Sequence, residues 1–125
     1  MREACEQVQT YLNRMETRDL DGARAMLAEG FVMQFPGAPE MHTLSELINW
    51  AAPRYQFVKK TYLGFDACTG GSEVTIVYCR GVLSGQWPDG SAFDGIRFID
   101  RFELVGGKIT RQDVWNDIGE VRNGS

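Results

Sequence analysis

The chain has 125 residues, of which 43% are hydrophobic and 24% charged, and a formal net charge of −4. That length and composition suit one globular domain, residues 1–125, with a proper core. The acidic balance argues against nucleic acid or an anionic membrane surface as partner, and no apolar run approaches the ~18 residues needed to cross a bilayer.

From the N-terminus, Val8, Tyr11, Leu12 and Met15 recur at helical spacing and predict an amphipathic helix over residues 3–18. Asp19 is placed to cap a second, short helix with Leu20, Ala23, Met26 and Leu27 on one side, ending near Gly30. Phe31 to Phe35 reads as a strand stopped by Pro36, followed by a loop to Met41. Thr43-Leu44-Ser45-Glu46 has the capping-box pattern and starts a third helix that stops before Pro53. Strands follow over Val58–Cys68 and Glu73–Trp87, separated by a Gly-rich turn. In the first of these, Lys60, Tyr62, Gly64 and Asp66 share one face, and Lys59, Thr61, Leu63, Phe65 and Ala67 the other. Lys59, Lys60 and Arg80 read as solvated charges. Two last strands fill Ala92–Asp117 around Gly106-Gly107. The order predicts an α+β fold, with three N-terminal helices packed on a strongly curved, mainly antiparallel sheet.

Within the last pair, Ile96, Phe98, Asp100, Phe102 and Leu104 alternate on one face, and Asp100 is the one carboxylate among apolar residues. It must be paired, hydrogen-bonded or protonated. A regular two-residue turn would set Asp100 opposite Asp113, Phe98 opposite Trp115 and Phe102 opposite Arg111, making an acid–base cluster of Asp100, Arg111 and Asp113. One bulge would instead bring Gln112, Val114 and Asn116 inward. Asp100 would then have Tyr11 and Asn116 as partners, an arrangement suited to polarising a carbonyl. Both registers are open at this point.

The remaining chemistry-bearing residues are sparse. His42 is the single histidine and reads as a loop residue or a pocket-mouth acid–base group; with no CxxC pattern, no metal site is expected. Cys5, Cys68 and Cys79 fit free thiols in a reducing cytoplasm, and no signal peptide is visible. Asn123-Gly124-Ser125 matches a glycosylation sequon, which reads as chance.

Several features together resemble the SnoaL-like branch of the NTF2-like superfamily: Asp19-Leu20-Asp21, the strand before Pro36, and His42 to Leu47 opening the third helix. Asp100-Arg101-Phe102 ahead of Gly107-Lys108-Ile109, and Trp115-Asn116-Asp117 near the end, complete the set. The resemblance covers nearly the whole chain. It implies a cone, a bent sheet wrapped around a hydrophobic pocket that helices close, often dimerising through the outer sheet face. The branch includes ketosteroid isomerases, polyketide cyclases, epoxide hydrolases and dehydratases as well as non-catalytic binders, so fold alone decides no activity. Compared with ketosteroid isomerase, the oxyanion-hole tyrosine falls on Tyr11 and the protonated aspartic acid on Asp100. The general-base aspartate falls on Phe35, which cannot serve as a base.

The resulting expectation is a cofactor-free pocket protein acting on a small, largely apolar carbonyl- or hydroxyl-bearing molecule. Asp100 and Tyr11 would carry proton transfer and oxyanion stabilisation. Phe35, Trp50, Phe98, Phe102, Arg111, Asp113, Trp115, Asn116 and His42 would contact the ligand. The alternatives are a non-catalytic binder of the same fold and a dimeric association module. Ile99 and Val105 among Arg97, Arg101 and Glu103 suit a homodimer contact on the outer face of the sheet.

Overall fold

The structure is a computed structural model that describes residues 1–123; the sequon Asn123-Gly124-Ser125 runs outside the described residues. Helix α1 (Arg2–Glu16) buries Val8, Tyr11 and Leu12, as its periodicity predicts. It ends at Thr17 and Arg18, the latter in the left-handed region at φ 63°. Asp19 then caps α2 (Leu20–Arg24) by accepting from the Gly22 amide at 3.0 Å.

Helix α2 is shorter than expected. The chain turns instead into β1 (Leu27–Gln34), which runs parallel to β5 (Lys108–Asn116). The Ile109 amide donates to the Met26 carbonyl, and Leu27 pairs with Ile109. Sheet pairing here overrides the helical propensity of Met26-Leu27-Ala28. Helix α3 (Leu44–Ala51) starts on the expected capping box. The Glu46 amide donates to the Thr43 hydroxyl at 3.1 Å, and the Glu46 carboxylate accepts from the His42 amide at 3.1 Å.

Strands β2 (Phe57–Thr69), β3 (Val74–Gln86) and β4 (Ala92–Val105) complete a five-stranded sheet in the order β1-β5-β4-β3-β2, antiparallel except for β1 with β5. The fold is thus the expected α+β arrangement of helices on a curved sheet. A fourth helix, α4 (Ile118–Asn123), was not expected; Asn116 Oδ1 accepts from the Ile118 amide at 3.1 Å and turns the chain into it.

Bulges bend the sheet. In the β4–β5 hairpin, Gly106 and Gly107 both take positive φ, and Val105 pairs with Lys108 and Leu104 with Ile109, as a two-residue turn requires. Thr110 is then extra. Its hydroxyl donates to the Glu103 carbonyl at 3.1 Å, and beyond it Phe102 pairs with Gln112, Asp100 with Val114 and Phe98 with Asn116. A second bulge falls at Leu63 in β2, so Lys60 and Tyr62 face inward together with Phe65 and Ala67, not opposite to them. A third shift separates Ile96 from Phe93 in β4, beside Gly95 at φ 71°.

The sheet is so tightly curved between β2 and β3 that a Cβ on Gly81 would collide with the Thr61 carbonyl oxygen, which is backbone and cannot move aside cheaply. Gly81→Ala is therefore expected to destabilise the fold by roughly 2 kcal/mol, or on the order of 8 °C in melting temperature. A thermal melt by circular dichroism with no shift would contradict this account of the curvature.

Candidate functional site

Asp100 is fully buried on the concave face of β4, between Phe98 and Phe102, with Cys79 beside it on β3. Its partner is Lys60 of β2, whose ammonium lies 2.5 Å from Asp100 Oδ2. The two strands are not neighbours: the ion pair reaches across β3, and only a strongly bent sheet brings the two groups together. Lys60 is one-fifth exposed, and its ammonium sits 4.9 Å from the centre of the Phe98 ring. Burial works against the charged form of Lys60, but the Asp100 charge outweighs it and leaves the Lys60 pKa above its ordinary value. The other carboxylate oxygen, Asp100 Oδ1, is buried and has no hydrogen-bond partner.

This pair forms part of the wall of a cavity of about 560 Å³. Phe98, Asp100, Val114 and Asn116 line it from the sheet, Phe35 and Trp50 from the opposite side, and Ile118 and Gly119 from α4. A second cavity of about 350 Å³ lies under α1 and α3, lined by Tyr11, Met15, Leu47, Ile48 and Gln112 among others. Phe35, Tyr55, Val58 and Lys60 line both, so they are a shared partition.

Of the expected site residues, the structure brings Phe35, Trp50, Phe98, Asp100 and Asn116 together around the first cavity. Tyr11 is elsewhere: it opens on the second cavity and packs edge-on against Phe102 at 6.1 Å. Burial above all pushes the Tyr11 phenol upward, so it stays protonated as a donor. Phe102 is fully buried core and lines neither cavity. The Thr110 bulge corrects the expected Asp100–Arg111–Asp113 cluster. Arg111, Asp113 and Trp115 lie on the outer face, where Arg111 holds Asp113 through two hydrogen bonds of 2.9 and 3.0 Å and Trp115 is 53% exposed. His42 is exposed beside the start of α3 and lines neither cavity.

The residue that sequence reasoning missed is Lys60. Its alternation with Val58 and Tyr62 was a signal, since both of those pack against the core. The Leu63 bulge hid it by putting Phe65 and Ala67 on the same face. Cys79 also lies close. Burial first, and the Asp100 charge second, push its thiol up to about 12, which makes it a poor nucleophile. Burial likewise pushes the Tyr62 phenol up to about 12. Among the described residues, no three His, Cys, Asp or Glu side chains gather as a metal site, and no helix is long and apolar enough to cross a membrane.

The sequence matches the model of the SnoaL-like domain over residues 8–112, and the chain belongs to that family. No curated relative matches the sequence. Among solved structures, it is similar to TerC co-crystallised with polyporic acid, at 13% identity over 96% of this chain and 95% of that one, with a TM-score of 0.78. It is also similar to an NTF2-like protein from Burkholderia pseudomallei, at 16% identity over 98% and 97% of the two chains, with a TM-score of 0.78. A candidate polyketide cyclase from Xanthomonas campestris pv. campestris shares 17% identity over 96% and 94%, with a TM-score of 0.74. At these identities the likeness is one of fold, the NTF2-like cone.

Removing one member of a buried pair strands the other's charge, so Lys60→Met is expected to destabilise the protein by about 3 kcal/mol. Adding Asp100→Asn should restore much of that loss. Urea unfolding of the single and double variants gives the coupling between them; losses that simply add would mean that the pair is not coupled.

Proposed function

We propose that the protein binds a small, largely apolar carbonyl- or hydroxyl-bearing molecule in the 560 Å³ cavity and acts on it as a cofactor-free, cyclase- or isomerase-type enzyme. The observation that carries this reading is the Lys60–Asp100 ion pair in an otherwise mainly apolar wall, with Asp100 Oδ1 unpartnered. A buried ion pair adds little net stability, so its presence at a cavity wall favours use over scaffolding.

In this reading Asp100 Oδ1 takes a proton from the carbon next to a ligand carbonyl. The electron pair moves onto the carbonyl oxygen, and the Lys60 ammonium stabilises the resulting enolate. The enolate then either attacks a second carbonyl of the same molecule, with Asp100 returning its proton to the alkoxide that forms, or is reprotonated at carbon by Asp100. The role once expected of a neutral Asp100 as donor passes to Lys60, and Phe35 needs no basic replacement. Tyr11, protonated and facing the second cavity, takes no part in this step. The SnoaL-like membership and the likeness to a candidate polyketide cyclase support this class of chemistry. The mainly apolar lining equally favours a second reading, a binder without turnover.

Asp100→Asn separates the two. It strands the Lys60 charge and so lowers stability, but the fraction that circular dichroism shows to be folded is expected to keep binding the ligand while turnover of a diketone or polyketide-like substrate falls at least ~100-fold, the scale of general acid–base catalysis. Loss of affinity, with no turnover in the wild type to lose, would establish the binder.

A homodimer is proposed through the outer sheet face. Leu63, Ile99 and Trp115 are exposed there and line one shallow groove, with Arg80, Arg97 and Asp117 around it. Sedimentation at micromolar concentration should give a dimer that Trp115→Glu dissociates; a monomeric wild type would refute the proposal.

A further inference from the structure

The charges around the cavities do not follow the charge of the chain. The protein carries a net −4, yet the charged side chains lining these two cavities lean basic, with Arg18, Arg54 and Lys60 against Glu16 and Asp100. Asp100 and Lys60 offset each other, which leaves Arg18 and Arg54 against Glu16. Arg54 differs from three arginines of the outer sheet. Arg97, Arg101 and Arg111 all sit in ion pairs, whereas Arg54 has no carboxylate within ion-pair distance among the described residues. Its guanidinium lies over the Trp50 ring, 4.0 Å from the ring centre, and both side chains line the larger cavity. The backbone that carries it is held by the turn closing α3, where the Arg54 amide donates to the Ala51 carbonyl at 2.9 Å.

We propose that the ligand of this cavity is an organic acid, with its carboxylate held by Arg54 on the Trp50 ring and its apolar body against Phe35, Phe98 and Val114. The inference rests on the reading of this cavity as a ligand site and adds the charge of the ligand to it. A guanidinium stacked on an indole keeps its N–H edge for a planar anion, and a carboxylate matches that fork with two parallel hydrogen bonds. The pocket wall also contains Tyr55. Burial raises its phenol, while Lys60, Arg18 and Arg54 all act on it in the opposite sense, so three positive charges bear on one point of the partition. The lining is otherwise mainly apolar, which suits an aromatic or polycyclic acid better than a phosphate or a sugar acid.

Two probes of the same shape test this by calorimetry on the full chain: 1-naphthoate and the neutral 1-naphthalenemethanol. The carboxylate should bind about tenfold more tightly, the scale of one charge-assisted contact. Arg54→Gln should abolish that preference by weakening 1-naphthoate far more than 1-naphthalenemethanol, and Arg54→Lys, which keeps charge but not the fork, should retain part of it. Equal affinity for the two probes, or a preference that survives Arg54→Gln, would overturn the acid-binding inference and leave the pocket reading standing. Binding of neither probe would overturn both.

Discussion

The inner face of this cone depends on one extra residue, Thr110. Between the Gly106-Gly107 turn and Thr110 the last hairpin pairs regularly; after it, every residue of β5 is on the opposite face from the one a regular hairpin would give. The Thr110 hydroxyl secures the irregularity by bonding the Glu103 carbonyl. Its effect is to send a bidentate Arg111–Asp113 pair and a tryptophan outward and to bring Gln112, Val114 and Asn116 inward. The pocket thereby loses two potential catalytic charges and keeps Asp100 as its one carboxylate on the sheet.

That lone carboxylate would be untenable without Lys60. An ionised group with no partner in an apolar interior costs several kcal/mol. The compensating cation comes from two strands away, and it reaches Asp100 because the sheet folds back on itself where Gly81 lets the Thr61 carbonyl approach. Curvature, glycine placement and electrostatics are therefore one constraint: flatten the sheet and the ion pair opens. The pair satisfies only one oxygen of Asp100, which leaves Oδ1 buried among side chains with no bond to make. Buried polar atoms are nearly always satisfied, so an unsatisfied one on a residue that lines a cavity points to where a bound molecule has something to offer.

Much of the architecture was legible in the sequence. The helical spacing of Val8, Tyr11 and Leu12, the Thr43–Glu46 capping box and the alternation around Asp100 each predicted what forms there, because each is decided by neighbours within a few residues. What escaped was long-range. Residues 27–30 carry a helical pattern, but pairing with Ile109, far along the chain, turns them to strand. The bulges at Leu63 and Thr110 follow from how strands must bend to close a cone, and no local pattern announces them. The site suffers most from this, since a one-residue slip exchanges lining for surface: by sequence alone Lys60 reads as solvated, and Arg111 and Asp113 read as pocket groups in one of two registers.

The partition between the two cavities has a consequence for ligand size. Phe35, Tyr55, Val58 and Lys60 line both chambers. Any rotamer change that widens one chamber narrows the other, so their volumes trade against each other. Lys60 is tethered to Asp100, which leaves the aromatic rings of Phe35 and Tyr55 as the movable part of the wall. A molecule too long for either room can be housed only by parting those two rings, and it would then thread past the ammonium on its way through.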